Sequence, residues 1–172
     1  MEPRRACWVC TALIAGCALA TGQTIPQVTA ESVNGKHISL PADFAGKSAI
    51  LIVGFSRAGG DQCGPFARRL SKEPSILTGS ISLYQIAMLE SAPRLARPLI
   101  VHGMRSGVPK PEQDRFLPLF RGENEWKQIT GFTKEADDQA FLLLVSSDGS
   151  VRWIGHGRYS DELYLEFKKH LL

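Results

Sequence analysis

The chain has 172 residues, room for one domain of ordinary size. Apolar residues make up 44% and charged ones 22%, so a core can form and the chain is not disordered by composition; a formal net charge of +3 is too mild and too dispersed to argue for nucleic-acid binding. The four cysteines stand at positions 7, 10, 17 and 63, the first three within an N-terminal apolar stretch, which excludes a disulfide-stapled scaffold.

Arg4 and Arg5 precede an uncharged run over residues 6–20. A short basic start, an apolar run and small residues at its exit are the pattern of a signal peptide, and the run is short for a membrane-spanning helix, which needs about 20 residues. Ala18-Leu19-Ala20 fits cleavage after Ala20. Ile14-Ala15-Gly16-Cys17 resembles a bacterial lipobox, in which Cys17 becomes the lipidated first residue; a retained membrane anchor is the third reading. Under the first two, the mature protein is exported, periplasmic or anchored to a membrane facing the periplasm, and keeps Cys63 as its one unmodified thiol. Residues 21–27 read as a polar linker and residues 28–172 as the domain.

Residues 28–40 read as a short extended segment with an Asn34-Gly35 turn, a strong hairpin signal. Residues 41–46 form a loop with Phe44 tucked against the core. The continuous apolar run over 49–55 predicts a central strand covered on both faces, and hence α/β layers. Residues 56–62, with Gly59 and Gly60, read as a loop, and a helix follows over 64–71, where Pro65 suits the first turn. A second strand is predicted over 81–88. Pro93 opens a helix carrying Leu95, Leu99 and His102 at helical spacing, broken by Gly103, Gly107, Pro109 and Pro111. Shorter helical pieces are predicted over 112–120 and 124–130. Residues 141–145 and 151–155, joined through Asp148-Gly149, predict a β-hairpin with Trp153 in the core. A last helix begins at the N-cap Ser160, with Asp161 and Glu162 in its first turn and Lys168, Lys169 and His170 in its last, and Leu163, Phe167 and Leu171 give its apolar stripe.

In this order the elements resemble the thioredoxin-like superfamily over residues 25–172. The resemblance implies a single α/β domain, a central mixed sheet flanked by helices, with a helical insertion before the C-terminal hairpin and helix. Asn34-Gly35-Lys36 and Ala45-Gly46-Lys47 resemble the exported thiol-oxidoreductase and peroxiredoxin branch. Cys63-Gly64-Pro65-Phe66 resembles the Cys-Gly-Pro-Cys of thioredoxins, in which a helix N-terminus stabilises a thiolate. Phe66 stands where the second cysteine belongs, and Asp137-Asp138-Gln139-Ala140 where such folds place a proline facing the active cysteine. Two redox elements are thus missing, which excludes a dithiol mechanism. A monothiol mechanism with Cys63 as nucleophile, peroxiredoxin-like or thiol-exchanging, remains the alternative, although Gly60 stands where peroxiredoxins carry Thr or Ser and no proline lies between Leu51 and Cys63. Arg57, Arg68 and Arg69 are the cations nearest in sequence. The bland reading of Cys63 is a small apolar residue packed at a helix start.

Four further stretches, 54–57, 88–93, 100–105 with 108–110, and 143–145 with 148–153, are similar to the mitochondrial ATP-synthase assembly factor family and its bacterial relatives. That resemblance implies a domain without a working dithiol that acts by binding a membrane-protein partner. Between Arg94 and Arg121, six Lys or Arg stand against Glu112 and Asp114, a net +4 over 28 residues interleaved with Leu95, Leu99, Met104, Phe116, Leu119 and Phe120. Such a basic and apolar surface suits an acidic partner segment or an anionic membrane face; otherwise it is a solvated face. The partner-binding residues expected are Arg94, Arg97, Met104, Arg105 and Lys110. The histidines at 37, 102, 156 and 170 show no metal-ligand spacing, His156 reads as a surface-loop residue, and no phosphate-cradling loop is present. No metal, cofactor or nucleic-acid partner is expected.

Overall fold

A computed structural model describes residues 22–171 of the chain. The leader, with Cys17 and both cleavage positions, lies outside the described residues. Seven strands and five helices follow in the order β1 (Val28–Glu31), β2 (His37–Leu40), β3 (Ser48–Gly54), α1 (Arg57–Leu70), α2 (Pro74–Leu77), β4 (Ile81–Met88), α3 (Arg97–Gly107), β5 (Phe116–Leu119), α4 (Glu123–Thr130), β6 (Ala140–Val145), β7 (Val151–Gly157) and α5 (Asp161–Lys168). Strands β1 and β2 form an antiparallel hairpin, and the remaining five form a mixed sheet in the order β5-β4-β3-β6-β7. Within it β3, β4 and β5 are parallel, while β6 and β7 run antiparallel to their neighbours.

The continuous apolar run of β3 has the meaning its sequence suggested. Ala49, Leu51 and Val53 point into one core with Tyr84, Ile86, Phe141, Leu143 and Trp126. Ile50 and Ile52 point into a second core with Leu83, Leu142 and Leu144, closed by Phe66 and Leu70 of α1 and Tyr164 and Phe167 of α5. A strand buried on both faces needs apolar residues at every position, because successive side chains face opposite sides.

Turns are set by local chemistry. Ser32 Oγ accepts from the Asn34 and Lys36 amides at 3.3 and 3.1 Å, and Gly35 takes a φ of +84°. The first hairpin therefore closes through residues 32–36, not through a two-residue turn. In the second hairpin Asp148 Oδ1 accepts from the Ser150 amide at 2.9 Å and Gly149 takes a φ of +87°. Phe44 is wholly buried, as expected. Ser160 caps α5, its Oγ accepting from the Leu163 amide at 3.1 Å.

Several expectations are corrected. The helix read over 64–71 begins at Arg57, because Ser56 is its N-cap: the backbone there is extended and Ser56 Oγ accepts from the Gly59 amide at 3.0 Å. Pro65 consequently lies inside α1, not in its first turn. The helix opened by Pro93 begins instead at Arg97, after a 3-10 turn over Arg94–Ala96. The helix read over 112–120 is a 3-10 turn, Lys110–Arg115, followed by strand β5. Pro118 is tolerated in β5 because this is the edge of the sheet, where a missing N–H faces no partner strand. Trp153 is half-buried, resting on Phe167 and His170 at ring separations of 5.2 and 5.1 Å. His156 lies on β7, not in a loop.

Candidate functional site

The end of β3 meets the start of α1 at very close range. A Cβ added to Gly54 would stand 3.0 Å from the Gly60 nitrogen and 3.2 Å from Cys63 Sγ. One added to Gly59 would stand 2.8 Å from the Gln139 carbonyl oxygen and 2.9 Å from that of Asp137. Ser56 Oγ also donates to the Asp137 carbonyl at 2.7 Å. The first turn of α1 is therefore pressed against the segment leading into β6, the place where the resemblance expected a proline. Beside it His156 Nδ1 is hydrogen-bonded to Gln139 Oε1 at 2.7 Å, and the imidazole stacks on Phe141 with ring centres 5.1 Å apart.

Cys63 is consequently not at a helix start. It lies in the second turn of α1, 5% exposed, and its thiol donates to the Gly59 carbonyl at 3.3 Å. Burial pushes the thiol up to about 12. A thiol with that value stays protonated at neutral pH, the reverse of the depression that a helix N-terminus gives a reactive cysteine. The neighbouring cations do not compensate. Arg69 is turned towards α5, where it bonds Tyr159 Oη at 3.1 Å, pairs with Asp161 and lies 3.9 Å over the Tyr164 ring. Arg57 and Arg68 are exposed.

The helix start that sequence reasoning missed carries another consequence. A Cys-x-x-Cys pair ending at Cys63 would begin at Gly60, which is exposed and has open space where a Cβ would project. Gly60-Asp61-Gln62-Cys63 thus has the dithiol spacing with its exposed member replaced by glycine. Cys63 is the single cysteine among the described residues. The signal for this register was Ser56, a good N-cap three residues before Gly59.

The residues expected to meet a partner separate into two groups. Arg94 and Lys110 are exposed. Arg97 is half-buried: its Nε donates to the Ala92 carbonyl at 3.1 Å, its Nη2 to that of Glu90 at 3.4 Å, and the guanidinium lies 4.6 Å over the Phe120 ring. Arg105 Nη2 donates to Asn34 Oδ1 at 3.0 Å, and Asn34 Nδ2 in turn donates to Asp114 Oδ1 at 2.8 Å. These two arginines therefore also fasten α3 to the body of the protein. Met104 is half-buried, and buried Gln113 donates to the carbonyls of Arg105 and Val108 at 2.9 and 3.0 Å, holding the end of α3.

A cleft of about 610 Å³ is walled by residues 26–32 and 118–122 with Val101, Glu125 and Trp126. Among the described residues no group of three or more His, Cys, Asp or Glu could hold a metal ion, and no helix is long and apolar enough to cross a membrane.

No family model and no curated protein matches the sequence. Solved structures do match the fold. The exposed lipoprotein thioredoxin of Streptococcus pneumoniae is similar with a TM-score of 0.58 at 12% identity, over 84% of this chain and 99% of that one. A thiol-disulfide oxidoreductase from Bacteroides fragilis gives 0.55 at 15% identity, over 87% of this chain and all of the other (100%). BsSco, of the Sco family of cytochrome c oxidase assembly proteins, gives 0.53 at 14% identity, over 87% and 94%. With the five-stranded mixed sheet and its flanking helices, these likenesses establish that the chain has the thioredoxin-like fold.

Proposed function

We propose that the protein is an exported, thioredoxin-like binding or assembly protein that grips a protein partner through its insertion over residues 92–122 and performs no dithiol exchange. The observation that carries this reading is the state of Cys63: buried, hydrogen-bonded as a donor, its thiol pushed up to about 12, with glycine one turn earlier at the exposed position. Attack on a disulfide or a peroxide needs a thiolate that the reagent can reach, and this thiol is neither ionised nor accessible at neutral pH.

Export rests on the leader pattern over residues 1–20, with cleavage after Ala20 or before a lipidated Cys17. Sharing a fold with an exposed lipoprotein and with an oxidase assembly protein is compatible with that setting, and the resemblance of four stretches to the ATP-synthase assembly factors suggests a membrane-protein complex as partner. On this reading exposed Arg94 and Lys110 bound the face that approaches the partner, while Arg97, Met104 and Arg105 shape and hold it.

Two assays on the mature protein test this. Disulfide reduction and peroxide consumption with excess external thiol are both expected to be absent; turnover abolished by Cys63→Ser would establish the monothiol enzyme instead. A photocrosslinker at Lys110 is expected to trap one discrete membrane protein in the exporting cell. Cys63→Ser is expected to leave that product intact, and Arg94→Glu with Lys110→Glu to remove it.

A further inference from the structure

We propose that the outer face of residues 93–110 seats on the anionic lipid bilayer that surrounds the membrane-protein partner of the reading above, with Leu95 and Leu99 entering the headgroup region and exposed Arg94 and Lys110 meeting lipid phosphates. Leu95 is 98% exposed and Leu99 75%, one helical turn apart, and they are two of the four large apolar residues exposed among the described ones. Helix α3 has no fully buried residue; half-buried Ile100, Val101 and Met104 face the body, and Arg97, Arg105 and Gln113 fasten it there. A pair of exposed leucines, Leu95 in the 3-10 turn and Leu99 in the first turn of α3, is unexpected for a surface that meets water alone.

Charge identifies the occupant. Arg94, Arg97, Arg105 and Lys110 stand between Pro93 and Lys110 with no Asp or Glu, a local +4 that exceeds the +3 of the whole chain. Arg97 and Arg105 are turned onto the Ala92 and Glu90 carbonyls and onto Asn34, and Arg94 and Lys110 are exposed at either end of the segment. Two exposed leucines on a segment with exposed Arg94 and Lys110 and no acidic residue match an interfacial segment that draws on apolar burial and anionic headgroups together.

The test is co-sedimentation of the mature protein, beginning at Thr21, with vesicles of phosphatidylcholine alone and of phosphatidylcholine mixed with phosphatidylglycerol. Binding is expected to be at least about tenfold stronger to the anionic vesicles, to weaken with salt, and to fall by about fivefold for each cation neutralised in Arg94→Gln and Lys110→Gln. Leu95→Glu with Leu99→Glu is expected to abolish it, and both positions are exposed enough for the variant to fold, which unchanged circular dichroism would verify. Equal binding to both vesicle types, no binding to either, or binding indifferent to the leucine substitutions would overturn the proposal. Vesicles contain neither a protein partner nor a thiol substrate, so a negative result here with the Lys110 crosslink intact would assign the face to a protein and leave the partner reading standing.

Discussion

Gly60 and Cys63 stand one helical turn apart on α1, and only the buried member of the pair carries a thiol. Because burial raises that thiol, folding binds a proton that the unfolded chain releases once its own cysteine ionises, near pH 8.5–9. The folded value lies above the unfolded one, so the stabilisation is complete below about pH 8.5 and is lost progressively as pH rises towards 12. Cys63→Ala is therefore expected to flatten the decline of stability between about pH 9 and 10, read by denaturant melts across that window. Gly60→Cys should add an exposed thiol, alkylated at neutral pH, that closes onto Cys63 under mild oxidation; failure to form that disulfide would refute the register. Ser56 caps α1 and donates to Asp137, and Ser56→Ala is expected to cost about 1–2 kcal/mol. Gly59→Ala would press a methyl group onto two backbone carbonyls and is expected to destabilise by a further margin, about 1–3 kcal/mol.

At the scale of elements, what was legible followed how strongly a segment's own residues dictate its conformation. The apolar run of β3, the Asp148-Gly149 hairpin and the Ser160-capped helix were readable because periodicity, turn chemistry and capping agree within each. The start of α1 was misread because Gly59 and Gly60 look like loop residues. They are glycines for a different reason, since the helix packs on Gly54 and on the 137–139 backbone at a distance no side chain permits at Gly59. Strand β5 escaped because four residues interrupted by Pro118 show no strand pattern, and its place is set by pairing with β4. Helix α3 depends on Gln113, whose amide satisfies two carbonyls at the helix end. Gln113→Ala is expected to speed amide exchange across α3 well before it affects the sheet, because that bonding is local to the helix terminus.

For the molecule as a whole, the thioredoxin-like scaffold is complete while the chemistry at its customary end is closed. The sheet, both cores and the crossover helices are in place; the turn before Cys63 is sealed against the 137–139 segment, and the thiol points into the second core. The basic and apolar stretch over 93–110 precedes strand β5 of that sheet, fastened by Arg97, Arg105 and Gln113, with Leu95 and Leu99 exposed. A missing second thiol was legible in the sequence, but Phe66 was the wrong place for it: with α1 starting at Arg57, the vacant position is Gly60 and Cys63 is the buried member. A packed Cys63 was legible too; its place in the second turn was not, because it follows from a helix start six residues upstream. The most direct measurement is the pH dependence of Cys63 alkylation in the folded, mature protein. The account predicts no reaction below about pH 9 without denaturant, and rapid reaction once the protein is unfolded. A midpoint below about pH 7 in the folded protein would mean an accessible thiolate, and would replace the binding protein described here with a thiol enzyme.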